Sequence, residues 1–329
     1  MKTNLSLKNL FLLLTMGTFT IITVSSCSKD DESAPPVSNT ITDKVVADAS
    51  FSTLEAAVIK AGLAETLKGT GPFTVFAPDN DAFTASGITS IDGISADDLK
   101  KILLYHTLAS KVMATDIPTA SNTKVLTANS PADSIFVTKN ANGVFVNGIK
   151  VTAADITADN GVIHKLEKVL IPASGNVVET AIATSGGDNA LDSLVVAVVR
   201  ADAANPGLIT LLSSATLTVF APTNKAFRDL LTALSLTNIS QIPIATLTAV
   251  LQYHVVAGRA FSSDLTNGTL PMFANGSTTV SLTGPTIKGD NGVLNLNVGG
   301  STDNTSNIIA TNILCRNGVV HVIDRVLLP

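Results

Sequence analysis

The stretch TVFAPDNDAF, Thr74 to Phe83, returns as TVFAPTNKAF, Thr218 to Phe227. Eight of the ten positions are identical, at an offset of 144. An internal repeat describes architecture, so it is read before any single residue. Each copy is followed by Tyr-His, as Tyr105-His106 and Tyr253-His254, at an offset of 148. Each closes on a matching segment, GVIHKLEKVLIP (Gly161 to Pro172) and GVVHVIDRVLLP (Gly318 to Pro329), at an offset of 157. The growing offset places small insertions in the second unit, between retained landmarks, where loops change length.

These landmarks resemble the signature segments of the fasciclin domain, the adhesion module of the fasciclin I and periostin type. Thr74, Phe76, Pro78 and Phe83, with Thr218, Phe220, Pro222 and Phe227, are similar to the first segment. Tyr105-His106 and Tyr253-His254 are similar to the middle one. The segments holding Gly161 and His164, and Gly318 and His321, are similar to the last. The resemblance covers the chain from about Ile41 onward. It implies an α+β fold of two tandem domains, 41–172 and 176–329, each a β-wedge or sandwich with packed helices. It also implies a role in adhesion: binding extracellular protein, matrix, another cell or itself, with no enzyme activity.

The residues support such a unit on physical grounds. An apolar helical period runs from Leu54 to Leu67, and again from Leu194 to Leu212, where Pro206-Gly207 interrupts it. TVFA, β-branched and aromatic, reads as a strand. Pro78 and Pro222 end it, and Asp79 and Thr223 are N-cap residues for a following helix. Ser95 with Asp98 predicts another helix start. Leu99, Ile102, Leu103 and His106 then fall on one face, as do Leu247, Val250, Leu251 and His254. Asn142-Gly143, Asn147-Gly148 and Asn291-Gly292 mark hairpins in β-rich runs such as SIFVTK and VLNLNV. Asn160-Gly161 and Asn317-Gly318 launch a closing strand in which Val162, His164 and Leu166 share a face. Val319, His321 and Ile323 do the same, while Lys165 and Glu167 point the other way. Ser185 to Gly187 reads as a loop inside the second unit. The connection from Pro172 to Asn176 is short and limits domain swing. Each unit has a full set of landmarks and is expected to fold alone.

At the amino terminus, Lys2 and Lys8 precede an apolar run from Leu10 to Val24, the pattern of a secretory signal. It ends Val24-Ser25-Ser26-Cys27, which resembles a bacterial lipobox, with 1–26 as signal peptide and Cys27 as lipid attachment residue. An ordinary signal with a chance Cys is the alternative. Residues 27–40 read as a polar tether. Lys29, Asp30 and Asp31 resemble the surface-export signal of some outer-membrane lipoproteins. The implied location is the outer membrane, exposed at the surface, with the membrane as partner through Cys27.

Composition narrows the partners. Without residues 1–26 the chain carries 19 basic and 26 acidic residues, a net charge of −7. With no basic run, no Trp and two Tyr, nucleic acid is a poor partner. Aromatic scarcity also weakens a glycan-binding reading, kept as an alternative that would serve nutrient capture. The four histidines fall two per unit at matching positions, on apolar faces. That favours core histidines over ligands. A duplicated enzyme site built on the paired histidines is the remaining alternative. Asp79 and Asp81 become Thr223 and Lys225 in the second copy, which argues against a metal there. No catalytic residue, metal site or cofactor is expected. Cys315 sits in an apolar run and reads as a buried thiol.

Overall fold

Thr40 starts the first helix. Its hydroxyl accepts the Asp43 N–H while the Asp43 carboxylate accepts the Thr40 N–H, a reciprocal cap. The computed structural model describes residues 38–129, 133–273, 277–281, 286–288 and 305–329. The signal segment, Cys27, most of the tether, Asn291-Gly292 and the VLNLNV run lie outside the described residues. Helix α1 spans Ile41–Ala47, α2 Ser52–Lys60 and α3 Ala64–Lys68. The apolar period from Leu54 to Leu67 predicts one helix, yet two form. The break falls at Gly62, whose φ of 68° is cheap only for glycine.

Strand β1 (Phe73–Pro78) turns directly into α4 (Asn80–Ala85). Asp79 caps α4 by accepting the Ala82 N–H at 2.8 Å. Helix α5 (Ala96–Tyr105), capped by Ser95, delivers His106 at its end. Then come β2 (Thr107–Leu108), β3 (Thr123–Leu126), β4 (Ser134–Asn140), β5 (Gly143–Val146), β6 (Ile149–Ala158) and β7 (Gly161–Leu166). The second copy repeats the order with α6 (Val177–Ala183), α7 (Asp192–Ala204), α8 (Leu208–Ser214) and β8 (Leu217–Pro222). It continues with α9 (Asn224–Ala233), α10 (Ile244–Tyr253), β9 (Val255–Ala257), β10 (Gly268–Pro271) and β11 (Ser277–Ser281). It closes on β12 (Thr286–Lys288), β13 (Thr305–Cys315) and β14 (Gly318–Ile323). Ser185 to Gly187 lies in the loop between α6 and α7, and Pro206-Gly207 separates α7 from α8.

The sheet order is β2-β1-β7-β6-β5-β4-β3, repeated in the second copy as β9-β8-β14-β13-β12-β11-β10. β1 and β7 run parallel, from Phe73↔Gly161 to Pro78↔Leu166. β8 and β14 match them, from Leu217↔Gly318 to Pro222↔Ile323. A parallel pair inside a sheet is covered on both faces. Here Val75 and Ile163 face Leu54, Val58, Leu99 and Leu103 of the helices. On the other face, Phe76 and Leu166 meet Tyr105, Ile135, Val146 and Leu170. The side of β7 opposite His164 is therefore a second core. Ile163 is buried there, and Lys165 is half-buried in an ion pair with Asp79 at 2.9 Å.

The Asn-Gly pairs play different parts. Asn147-Gly148 forms a tight turn with φ of 50° and 76°. Asn140 pairs with Gly143, which makes Ala141-Asn142 the turn. Ala158 likewise pairs with Gly161, so Asp159-Asn160 is the turn and Gly161 is already strand. The Asn-Gly signal hits the turn at Asn147-Gly148 and slips by one residue at Asn142-Gly143, while Asn160-Gly161 launches the closing strand as expected.

Candidate functional site

The landmark polar residues converge on the central parallel pair, where they hold backbone. His106 is the C-cap of α5 and fully buried. Its Nδ1 lies 2.7 Å from the Ile102 carbonyl, and its Nε2 accepts the Leu170 N–H at 2.9 Å. Hence Nδ1 carries the proton. His254 repeats this with the Val250 carbonyl at 2.7 Å and the Leu327 N–H at 2.8 Å. Each ring ties a helix end to the segment that follows the closing strand. Burial pushes both imidazoles down to about 4, so they stay neutral.

His164 stacks on Phe76 with ring centroids 5.5 Å apart, and His321 on Phe220 at 5.4 Å. His164 Nε2 donates to the Val112 carbonyl at 2.8 Å, and Nδ1 accepts the Asp155 N–H at 3.2 Å. His321 Nε2 donates to the Ala260 carbonyl at 2.9 Å, and Nδ1 accepts the Asn312 N–H at 3.4 Å. Thr74 and Thr218 pin the same loops. The Thr74 hydroxyl donates to the Ser110 carbonyl and accepts the Val112 N–H. Thr218 donates to the Gly258 carbonyl and accepts the Ala260 N–H. Tyr105 donates to the Ser134 carbonyl at 3.0 Å and accepts from Asn147 at 2.9 Å. Phe83, Phe227 and Tyr253 are buried, and Pro78 and Pro222 end their strands.

Two residue pairs in this network carry no sequence expectation of this kind. Asn160 accepts the Ile41 N–H at 2.9 Å and donates to the Leu67 and Gly69 carbonyls at 2.8 and 2.7 Å. Asn317 accepts the Val177 N–H at 2.9 Å and donates to Leu212 and Ala215 at 2.9 and 2.8 Å. One amide thus joins the start of the first helix to the end of the third. Asp155 and Asn312, at an offset of 157, sit at bulges with φ of 60° and 63°. The detectable signal was the offset itself, applied to polar residues outside the three landmarks. In every histidine both ring nitrogens are engaged by backbone, so neither is left to move a proton or hold a metal. Among the described residues no group of three His, Cys, Asp or Glu is placed to bind a metal ion. Cys315 is buried with its sulfur 3.3 Å from the Thr180 hydroxyl, and burial raises its thiol above the ordinary value.

A family model for the fasciclin domain matches residues 49–172 and 195–329. The chain belongs to the fasciclin domain family. Protein sll1483 of Synechocystis is 36% identical over 137 residues, 40% of this chain and 73% of that protein. The transforming growth factor-beta-induced protein ig-h3 of Sus scrofa is 34% identical over 175 residues, 53% of this chain and 24% of its own length. Human periostin is 26% identical over 272 residues, 81% of this chain and 29% of periostin. The chain therefore spans only a minor part of these two animal relatives. A FAS1 domain pair from the insect cell adhesion molecule fasciclin I aligns over 88% of this chain and 96% of that one, at 17% identity and a TM-score of 0.37. Fasciclin domains occur in cell adhesion proteins and are typically non-enzymatic. They support a general adhesion or binding role here.

The two fasciclin domains meet in a polar seam that the short connection did not foretell. Thr138 of domain one donates to Asp264 of domain two at 2.6 Å. Asn122 donates to the Arg259 carbonyl at 2.7 Å, and Asn140 to the Ser263 carbonyl at 2.9 Å. The Arg259 guanidinium stacks 4.0 Å over the Phe136 ring. Asn312 reaches back to the Gly148 carbonyl at 3.2 Å, a donation that an aspartate such as Asp155 could not make. Each such bond contributes about 1 kcal/mol net, and the half-buried cation–π stack about 1 kcal/mol. Three buried atoms of the same residues, Asn122 Oδ1, Arg259 Nε and Ser263 Oγ, have no partner and offset part of that gain, and what remains couples the two domains. The chain should therefore unfold in one calorimetric transition, and Thr138→Ala with Arg259→Ala should split it in two. Two resolved transitions in the unsubstituted protein would show that the seam does not couple the domains.

Proposed function

We propose that this chain is a lipid-anchored protein of the cell envelope that displays two coupled fasciclin domains for adhesion to extracellular protein or matrix. One observation carries the reading: an apolar leader ending in Val24-Ser25-Ser26-Cys27 stands ahead of two fasciclin domains. Diacylglycerol on Cys27, with amino-terminal acylation, supplies several chains, and each buried methylene contributes about 0.8 kcal/mol to anchoring. The anchor lies in the outer membrane, and Lys29, Asp30 and Asp31 direct the domains to the outer surface. A net charge of −7 after Cys27 exposure disfavours nucleic acid and leaves protein, glycan-bearing matrix or a second copy as partners. Among the described residues no helix is long and apolar enough to cross a membrane.

Cys27→Ala is expected to release the protein from the membrane fraction, or to leave it unprocessed, with both domains folded. Normal membrane-associated mature protein from that variant would end the lipoprotein reading. Changing Lys29, Asp30 and Asp31 together to Ala should keep the anchor and lose cleavage by protease added outside the cell. Unchanged cleavage would mean that surface exposure has another source.

A further inference from the structure

The two copies differ at one equivalent place, between the first three helices and the sheet. In domain one the space left there is about 30 Å³. In domain two it is about 250 Å³. Part of the difference lies in the opening helices, whose caps Thr40 and Asn176 align them, although Val46 at the rim becomes the larger Ile182. Ile41 and Val45 of α1 become Val177 and Ala181 of α6, which removes methylene and methyl groups from the wall. Ile59 of α2 likewise becomes Val199 of α7. Interiors are close-packed, and an unfilled apolar void costs stability in proportion to its volume. Domain two keeps the void although domain one already holds the side chains that would close it.

The void has a mouth and a floor. Ile182 and Val199 stand at the mouth, 56% and 52% exposed. Their equivalents Val46 and Ile59 are also exposed, at 54% and 63%, so both copies present an apolar rim at this place. The floor is Val219, Leu251 and Val255, all buried against the sheet. His254 also borders the space, but both its nitrogens are already engaged. The interior therefore offers no hydrogen-bonding group to a ligand. An apolar cavity of about 150 Å³ stays dry and holds benzene, so this one accommodates about ten carbons. Of the side chains a partner protein could insert, Phe fills this space only in part, and Trp, which matches it in size, brings an indole N–H for which the lining offers no acceptor.

We propose that domain two binds one hydrocarbon chain of about ten carbons, from a fatty acid or from the acyl group of a lipid, in the cleft between α6, α7 and α8. This binding is independent of anchoring through Cys27. The test is photolabelling of the full chain with a diazirine-bearing decanoic acid, with adducts mapped by mass spectrometry. Adducts are expected within 177–212. The pair Val177→Ile with Ala181→Val, which copies domain one, should reduce them by about tenfold or more, equivalent to a tenfold loss of affinity. That variant fills space with residues the fold already uses, so it should fold at least as well. The reverse pair Ile41→Val with Val45→Ala should create labelling within 41–68. Protection by free decanoate assigns the chain to a fatty acid, and protection only by didecanoyl phosphatidylcholine vesicles assigns it to a lipid. Labelling that is absent from 177–212, or that ignores both pairs of substitutions, overturns the proposal.

Discussion

Gly318→Ala is expected to prevent the second fasciclin domain from folding, and Gly161→Ala the first. Neither glycine has a positive φ, so the reason is space rather than backbone freedom. A Cβ at Gly318 would overlap the Leu217 carbonyl, and one at Gly161 the Phe73 carbonyl. Both obstacles are backbone atoms of the neighbouring parallel strand, which cannot rotate aside. The preceding Asn carbonyl accepts the N–H of Leu217 or Phe73 at 3.0 Å, which holds the strands close. Pushing them apart would also pull Asn317 or Asn160 from the helix ends they join. A cost of about 4 kcal/mol or more follows, at the far end of point substitutions and most of a domain's margin. Soluble yield and urea denaturation measure it. Gly93→Ala is the control, because nothing lies near its Cβ and its φ is ordinary. A Gly318→Ala protein within about 1 kcal/mol of the unsubstituted chain would contradict this account of the parallel pair.

Acid should weaken the protein steeply, through two histidines. Burial lowers His106 and His254 from 6.5 to about 4 in the folded state. The unfolded chain binds protons there first, so stability rises with pH across this window. Their contribution is complete above 6.5 and is lost as pH falls through 4. Each histidine accounts for about 3 kcal/mol over that span, a large share of the stability of the domain that holds it. Burial depresses His321 as well, in the same direction. His106→Ala or His254→Ala should cost about 4 kcal/mol near neutral pH, from the cavity and the stranded Leu170 or Leu327 N–H. Each should also flatten the pH dependence between 6.5 and 4. The damage should reach the neighbouring domain through the Thr138–Asp264 and Arg259–Phe136 contacts. An unchanged slope in both variants would show that these rings do not set the acid response.

What the sequence settled by itself lies close along the chain or recurs in it. The turn from β1 into α4 is legible because Asp79 caps a donor three residues on, and Thr223 does so again. The repeat located both histidine pairs, and the 3.6 and 2.0 periods placed them on apolar faces. The break at Gly62 stayed hidden, since an apolar helical period continues across it and a lone glycine only weakens a helix. Other features needed the tertiary structure, because their partners are far apart in sequence. Asn160 meets residues 119 and 93 positions away, and Asn312 meets Gly148 at 164. No local pattern announces such a bond. The glycine before each closing strand looks like a turn residue until a parallel neighbour passes over it. At Val177, Ala181 and Val199 the lining of the cavity in domain two has lost methylene and methyl groups, exchanges within the apolar class that a hydrophobic pattern does not register. Periodicity records which face of an element is apolar, whereas close packing decides whether the space above that face is full.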